Sequence, residues 1–299
     1  MKKLLLTGAT GMIGSAVVRG ALAQGYEITC LVHADSSRLE NIPQDEHVHV
    51  VACDADAYAS LELPGNYDIF MHLAWAKTSV GGRDDVDAQL KNIRYTLDAV
   101  RLAQRCGCSV FVGAGSQAEY GCKDEPLTVG MPVQPESAYG SAKFCAAKLS
   151  RLLCSQLGIR FNWLRILSVY GLHDGENTLI SYVIRELRAG RSPELTECGQ
   201  QWDYLYCDDA AQAFLAVAER GMDGKIYPLG GGKGRLLSDY VSDIRDELLV
   251  SLPLGFGKKA YYPHQPMFLV ADVSELEQDT GWTPKVSFRD GIRRILGVG

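Results

Sequence analysis

Short apolar runs alternate with amphipathic stretches along the first half of the chain. The runs predict buried strands. They cover residues 3–7, 27–32, 48–52, 67–74, 110–113 and 161–166. Between them, apolar residues recur at helical spacing, most clearly over residues 13–22, 85–105 and 137–157. This alternation is typical of an α/β protein with a Rossmann-type, doubly wound parallel sheet.

The pattern changes after residue 170, where loops lengthen and regular crossovers become fewer. Helices are predicted near residues 179–188, 208–219 and 288–296, and residues 251–299 are rich in glycine, proline and aromatic residues. We therefore predict a main domain of residues 1–170, to which residues 203–225 return. Residues 171–202 and 226–299 are predicted to form a smaller lobe over the carboxyl edge of the sheet.

A glycine-rich turn joins the first predicted strand to the first helix. Its glycines follow a Gly-x-x-Gly-x-x-Gly spacing, one residue longer than the usual dinucleotide fingerprint. Glycine lets backbone approach a phosphate, and a helix N-terminus offers free N–H groups and a positive dipole. The residues expected to hold a cofactor diphosphate are Gly8, Thr10, Gly11, Met12, Ile13 and Gly14.

The end of the second strand bears on the choice of dinucleotide. An NAD site generally places a carboxylate there for the ribose 2′-hydroxyl. In this chain the strand ends in Val32, followed by His33, Ser36, Ser37 and Arg38. These groups suit a 2′-phosphate, which favours NADP(H). NAD(H) is the alternative, with Arg38 merely solvated and Asp35 binding the ribose.

Later strand ends supply further candidates for the same site. Asp54 follows the third strand, where it either meets an adenine edge or caps the next turn. Leu73 and Ala74 end the fourth strand with the small side chains needed where backbone passes a cofactor. Ser116 follows the fifth strand, at the edge where ligands bind in open α/β sheets.

Tyr139 and Lys143 are spaced to share one face of a helix that Ser137 is placed to cap. A free tyrosine has a pKa near 10. A neighbouring ammonium favours the phenolate and lowers that pKa, which would suit the phenol to acid–base work near neutral pH. The spacing alone is common by chance. The surrounding motifs give it weight.

Composition excludes several classes of protein. The net charge is -6 and no basic stripe occurs, so a nucleic-acid partner is not expected. No apolar stretch is long enough to span a membrane, and the apolar start ends at a glycine-rich turn, so we expect a cytoplasmic protein. Nine scattered cysteines without a Cys-x-x-Cys pair predict buried free thiols and no metal site.

Together these motifs resemble the extended short-chain dehydrogenases/reductases, the NAD-dependent epimerase/dehydratase family. The resemblance rests on residues 7–14, His72-Leu73-Ala74, Ser116 before Tyr120-Gly121, Tyr139-x-x-x-Lys143, Val169-Tyr170-Gly171, residues 203–209 and Gly281-Trp282-x-Pro284. It implies that Tyr139 is the acid/base, that Lys143 grips the nicotinamide ribose and that Ser116 hydrogen-bonds the reacting oxygen. It also implies a nucleotide-sugar substrate bound by the lobe, with contacts from Gln117, Tyr170, Asn177, Trp202 and Tyr262.

Departures from the family pattern narrow the reaction. Sugar 4,6-dehydratases carry an Asp-Glu pair directly after the serine position, where this chain has Gln117 and Ala118. Trp202 replaces the usual diphosphate arginine, for which Arg185, Arg188, Arg191 or Lys258 are candidate substitutes. The stretches 115–121 and 201–206 resemble 4-keto-6-deoxyhexose 4-reductases of the CDP-paratose/abequose and dTDP-fucose type.

The first hypothesis is therefore a 4-reductase that uses NADP(H). A nucleotide-sugar 4-epimerase with tightly bound NAD would need the same residues. A non-catalytic redox sensor is a third hypothesis, although this chain retains Ser116, Tyr139 and Lys143. The resemblance also implies a homodimer through residues 85–105 and 137–157, with Leu90, Ile93, Leu97, Leu149 and Leu153 either at the interface or in the core.

Overall fold

The structure is a computed structural model that describes residues 1–79, 81–262 and 265–298. Its strands are β1 (Lys3–Thr7), β2 (Glu27–Val32), β3 (Val48–Ala52), β4 (Ile69–His72), β5 (Val110–Ser116), β6 (Arg160–Ile166), β7 (Ser168–Tyr170), β8 (Gln201–Trp202), β9 (Tyr204–Tyr206), β10 (Ile226–Leu229), β11 (Arg235–Leu236) and β12 (Phe268–Leu269). Its helices are α1 (Met12–Ala23), α2 (Val86–Arg105), α3 (Ala138–Leu157), α4 (Leu179–Arg188), α5 (Cys207–Arg220), α6 (Leu237–Glu247), α7 (Ser274–Thr280) and α8 (Phe288–Leu296).

A parallel sheet of seven strands forms the centre, in the order β10-β6-β5-β4-β1-β2-β3. The chain winds outward from β1 to β3 and then returns to place β4 on the other side of β1. This reversal opens a crevice at the carboxyl ends of β1 and β4, the usual position of a ligand in such sheets. The predicted doubly wound Rossmann-type α/β fold is confirmed.

Helices cover both faces of the sheet. α1 and α5 pack together on one face, and α2 and α3 pack together on the other. β1, β4 and β5 are almost entirely buried because both of their faces contact helices. That burial explains why they read as continuous apolar runs without alternation.

The second half of the chain adds two smaller sheets. There β8 lies between β11 and β12, and β7 pairs with β9. The buried Asp203 carboxylate accepts hydrogen bonds from the backbone N–H groups of Gly231, Gly232 and Ala271, at 2.6, 3.0 and 3.0 Å. One side chain therefore ties three separate segments of the chain together.

Some predicted boundaries differ from the observed ones. The expected division at residue 225 does not follow the sheet, because β10 (Ile226–Leu229) pairs with β6 and forms its edge. β5 continues three residues beyond its predicted end and finishes at Ser116 itself. The nine cysteines are free thiols; seven are buried, Cys145 is partly buried and Cys122 is exposed. Among the described residues, the helices are too short or too polar to cross a bilayer.

Candidate active site

The turn between β1 and α1 requires glycine at two positions. Gly8 has a φ of +77°, and a Cβ there would lie 2.7 Å from the backbone nitrogen of Ala74. A Cβ on Gly14 would lie 2.1 Å from the carbonyl oxygen of Gly8. Gly11 differs, because its Cβ would meet only the Gly8 oxygen, at 3.4 Å. Gly8 and Gly14 therefore permit close packing of the backbone, whereas Gly11 leaves open space over the turn.

A cleft of about 410 Å³ lies over this turn, at the reversal of strand order. Predicted residues that line it are Gly8, Thr10, Gly11, His33, Arg38, Asp54, Leu73 and Ala74. Met12, Ile13 and Gly14 are not in the lining but form the first turn of α1, which has no side-chain cap at Gly11. That helix end therefore keeps free backbone N–H groups. The turn, the helix end and the cleft fit a dinucleotide with its diphosphate over Gly11.

The far end of the cleft carries the groups that bear on a 2′-phosphate. His33 and Arg38 line it, and Asp35 is exposed outside the lining. The Asp54 carboxylate accepts a hydrogen bond from the backbone N–H of Ala34 at 3.1 Å and lies 3.6 Å from His33 Nε2. Asp54 precedes a short 3₁₀ turn but makes no side-chain cap there, so the capping alternative is wrong.

A row of hydrogen-bonded, buried side chains lies at the floor of the cleft. His72, the last residue of β4, places Nδ1 2.9 Å from Thr7 Oγ1 and Nε2 3.2 Å from Thr96 Oγ1. Thr7 Oγ1 accepts a hydrogen bond from the backbone N–H of Ala74 at 3.2 Å. These hydrogen bonds fix the backbone path of residues 73 and 74 past the cleft.

The structure brings Ser116, Tyr139 and Lys143 together. Ser116 ends β5, and Tyr139 and Lys143 lie on one face of α3, whose N-cap is Ser137 as predicted. All three side chains are buried, and the Ser116 hydroxyl lies close enough to the Tyr139 phenol to favour a lower phenol pKa. Lys143 Nζ donates a hydrogen bond to the Ala114 carbonyl oxygen at 2.6 Å. Both hydroxyls can therefore reach one substrate oxygen.

The electrostatics of this trio differ from the expectation. Burial raises the pKa of Tyr139, against the opposing effects of the Ser116 hydrogen bond and the Arg83 charge. Lys143 Nζ stands 5.9 Å from the Tyr139 ring centre, and burial lowers the pKa of its own ammonium to about 7. Desolvation therefore outweighs the predicted lowering of the phenol pKa by Lys143, and Tyr139 is a neutral phenol at neutral pH.

Two residues beside the trio were not predicted. The Trp75 ring centre lies 3.7 Å from Lys143 Nζ, and the ring packs edge-on against Tyr139. The Arg83 guanidinium lies 5.0 Å from the Tyr139 ring centre. The backbone carbonyl oxygen of Arg83 accepts a hydrogen bond from the Tyr139 backbone N–H at 2.8 Å. Trp75 follows the end of β4, where a ligand contact could have been suspected. Arg83 lies in a loop without a sequence signal.

The predicted substrate residues fall into three places. Asn177, Trp202 and Tyr262 line a cavity of about 440 Å³ in the lobe. Gln117 lines a smaller cavity of about 170 Å³ beside Ser137. The segment 265–269 borders both, since Gln265 lines the larger and Phe268 the smaller.

Tyr170 is placed elsewhere. It is buried among aromatic rings, and its hydroxyl donates a hydrogen bond to the Phe288 carbonyl oxygen at 3.1 Å. It packs the lobe onto the sheet and does not reach the cavities described above.

Cations line the larger cavity near Trp202. Of the four expected substitutes for the diphosphate arginine, Arg185 lines the cavity, and Lys259 lines it in place of its neighbour Lys258. Arg191 is paired with Glu186 at 2.7 Å outside the lining. Gln200 also lines the cavity, and its Oε1 is buried without a hydrogen-bond partner among the described residues. A bound ligand could supply the missing donor.

Comparison with known proteins identifies the family of this chain. The sequence model described as the NAD dependent epimerase/dehydratase family matches residues 4–230. A dTDP-glucose 4,6-dehydratase of Escherichia coli is 27% identical, over 98% of this chain and 92% of that protein. CDP-abequose synthase of Salmonella muenchen is 23% identical, over 99% of this chain and 98% of that protein.

Solved structures show the same fold. A UDP-N-acetylglucosamine 4-epimerase from Methanobrevibacter ruminantium M1, in complex with UDP-N-acetylmuramic acid, superposes with a TM-score of 0.88. It is 21% identical and covers 99% of this chain and 98% of its own.

Proposed function

Because the chain belongs to the NAD-dependent epimerase/dehydratase family, we propose that it reduces the C4 ketone of a nucleotide-linked 4-keto-6-deoxyhexose. The single observation that carries the proposal is that the buried side chains of Ser116 and Tyr139 meet where β5 ends and α3 begins. Burial raises the pKa of the Tyr139 phenol, so a proton donor stands beside a second hydroxyl. A ketone reduction needs a donor at the outset, whereas alcohol oxidation needs a base.

Different residues of the chain perform the separate tasks of this reaction. A nicotinamide cofactor in the cleft would supply hydride to C4. Ser116 orients the carbonyl oxygen, and the Tyr139 hydroxyl donates its proton as negative charge develops on that oxygen. Lys143, held by Ala114, places a buried cation near the phenol and stabilises the phenolate that remains.

Dehydration is disfavoured by the residues after Ser116. Ala118 has no ionisable group, and Gln117 has an amide in place of a carboxylic acid. Eliminating water from a sugar needs one group to remove a carbon-bound proton and another to protonate the leaving hydroxyl. Neither position can do either task.

The cavity that contains Asn177, Trp202 and Tyr262 is the proposed place for the nucleotide part of the substrate. Arg185 and Lys259 supply positive charge for a diphosphate. Trp202 and Tyr262 supply aromatic faces for a base. The CDP-abequose synthase relative supports a nucleotide-sugar ligand.

NADPH is the cofactor that we propose. Asp35 lies outside the cleft lining, and the lining carboxylate Asp54 is bonded to Ala34, while Arg38 and His33 line that end of the cleft. NADH is the alternative. The free thiols support the cytoplasmic location that we also propose, where NADPH and a reducing environment coexist.

The test follows the near-ultraviolet absorbance of NADPH or NADH with a CDP- or dTDP-linked 4-keto-6-deoxyglucose. We expect stoichiometric loss of NADPH, abolished in Tyr139→Phe, which keeps the ring and removes the proton. Tyr67→Phe is a matched control, because this phenol hydrogen-bonds the Thr29 hydroxyl at 3.1 Å and lines none of the cavities described above. If neither cofactor is consumed and denatured protein releases NAD, the enzyme is a 4-epimerase. If neither turnover nor cofactor is found, the sensor hypothesis replaces both.

A further inference from the structure

A buried carboxylate that the proposed reaction does not use lies directly beneath Ser116. Glu119 is 0% exposed. Its Oε1 accepts hydrogen bonds from the Ser116 backbone N–H at 3.0 Å and from Trp163 Nε1 at 2.9 Å. Its Oε2 accepts one from Arg165 Nε at 2.8 Å. Three hydrogen bonds therefore hold the carboxylate in place.

The Trp163 side chain lies next to both this carboxylate and Lys143. The indole N–H is bonded to Glu119, and the Lys143 ammonium lies 5.9 Å from the centre of the same ring. A Cβ on Gly115 would lie 2.2 Å from Trp163 Nε1 and 2.5 Å from Glu119 Oε1, so the strand packs closely against both. Protein atoms fill this region, and charges interact more strongly through them than through water.

We infer that Glu119 is a positioning residue that holds Lys143 in its cationic form and fixes the backbone of Ser116. The inference rests on the proposed function, since that reaction needs a positively charged Lys143 beside Ser116 and Tyr139. A buried ammonium without a compensating anion would lose its proton. Glu119 supplies that anion from a fully buried position that lines none of the cavities described above.

The other groups that face Lys143 do not supply it. Tyr139 on the same helix is a neutral phenol, because burial raises its pKa. His72 at the end of β4 stays neutral, since burial and the Lys143 charge lower its pKa to about 3. Arg165 on β6 is a cation paired with Glu119. Burial lowers the pKa of Lys143 to about 7, and the Glu119 charge opposes that fall.

The direct test measures the protonation midpoint of Lys143 by its Cε resonance in protein with isotope-labelled lysine. The signal is assigned by its loss in Lys143→Arg. In Glu119→Gln, which keeps an acceptor for Ser116 and Trp163, we expect the midpoint to fall by about one pH unit. Trp163→Phe is the matched control: it removes one donor, keeps the carboxylate and should leave the midpoint near the wild-type value. An unchanged midpoint in Glu119→Gln would overturn the inference and leave Glu119 a structural residue.

A second variant provides the test if Glu119→Gln does not fold. Glu119→Gln leaves Arg165 without its anion, which is costly in a buried site. The double variant Glu119→Gln/Arg165→Met removes both charges and is the better tolerated change. Its Lys143 midpoint should lie below that of Arg165→Met, which loses the cation alone and keeps the carboxylate. Equal midpoints in these two folded variants would equally overturn the inference.

The pH profile of turnover links the inference to the reaction. If Lys143 works as a cation, activity falls as pH rises through its midpoint. That fall should begin about one pH unit lower in Glu119→Gln. Should the proposed reductase show no turnover, the resonance measurement still decides the inference, because it needs no substrate.

Discussion

His72 is held by a chain of hydrogen bonds whose directions can be derived. The Thr96 hydroxyl donates to the Asn92 carbonyl oxygen at 2.8 Å, so it must accept from His72 Nε2–H. The Thr7 hydroxyl accepts from the Ala74 N–H and donates to His72 Nδ1. Every proton in this chain is used once, which requires a neutral imidazole with its hydrogen on Nε2. A second proton would reverse the bond to Thr7 and leave the Thr7 hydroxyl hydrogen without this acceptor.

His72 should therefore make the fold sensitive to acid. Its pKa is lowered from 6.5 to about 3 by burial, with the Lys143 charge adding to the effect. Between these values the unfolded chain binds a proton that the folded chain does not, so acid favours unfolding. His72→Asn should lose stability at neutral pH but show a slope shallower by up to about 1.4 kcal/mol per pH unit. Urea unfolding from neutral pH to about pH 4 measures both slopes, and parallel slopes would contradict the assignment.

Gly14 and Gly11 should respond differently to alanine. In Gly14→Ala the new Cβ meets the Gly8 carbonyl at 2.1 Å, so the turn must shift. We expect a loss of about 1–3 kcal/mol of unfolding free energy. In Gly11→Ala the space is open, so stability should hold while NADPH affinity falls at least about tenfold through contact with the diphosphate. Denaturant unfolding and a fluorescence titration with NADPH separate the two effects; equal losses of stability would refute the distinction.

At this scale, sequence reasoning located the residues with a spacing rule. Tyr139 and Lys143 share a helix face, as the periodicity predicted. The close approach of Gly14 to the Gly8 carbonyl was not predicted, since the glycines were assigned only to the diphosphate. Sequence reasoning also misjudged the effect of Lys143 on the phenol pKa, because desolvation depends on surrounding atoms from distant segments. Trp75 contributes to that environment from 64 residues before Tyr139 along the chain.

The start of α3 links helix stability to catalysis. Ser137 Oγ accepts a hydrogen bond from the Gly140 N–H at 3.1 Å, one turn around Tyr139. Ser137→Ala should cost about 1 kcal/mol of stability and lower kcat several-fold, because the first turn of the helix loosens. Ser287→Ala is a matched control: it removes the analogous cap of α8, where Ser287 Oγ accepts from the Asp290 N–H. It should cost a similar free energy and leave kcat unchanged.

Thermal unfolding and steady-state kinetics of the two cap variants provide the comparison. A fall of kcat in both would mean that general loosening, and not the position of Tyr139, controls turnover.

Elements with a strong period were predicted closely, and the others were not. α4 and α8 have the expected bounds, since their apolar faces repeat over several turns. β5 was predicted short because Ala114 and Gly115 have little strand propensity; their pairing with β6 extends it to Ser116. The two-residue strands β8, β11 and β12 are too short for any period.

The whole molecule presents an exposed apolar surface on α2 and α3. It consists of Val86, Leu90, Leu149 and Leu152, of which Leu90 and Leu152 are 58% and 61% exposed. Of the residues expected at an interface or in the core, Leu90 and Leu149 belong to this surface, whereas Ile93 and Leu153 pack against the core. A two-fold pairing of this surface would bury its apolar side chains, so we propose a homodimer.

Charge on this surface should separate the subunits. Leu90→Glu/Leu152→Glu should convert the dimer to a monomer, because two-fold symmetry buries four carboxylates in one interface. Leu249→Glu is the control, since Leu249 is 92% exposed outside this surface. Sedimentation equilibrium gives the masses. A wild-type monomer, or a dimer that survives the double substitution, would refute the proposed interface.

The strand order also has a consequence during synthesis. β6 is complete at residue 166, yet its outer neighbour β10 ends only at residue 229. A ribosome must therefore extend the chain well past β6 before the parallel edge at Trp163 and Leu164 is covered. During that interval the nascent chain carries an unpaired apolar edge, the kind of surface on which chains associate. Release of a nascent chain short of residue 226 would yield a fragment with the cofactor turn already made and an open edge that recruits other chains.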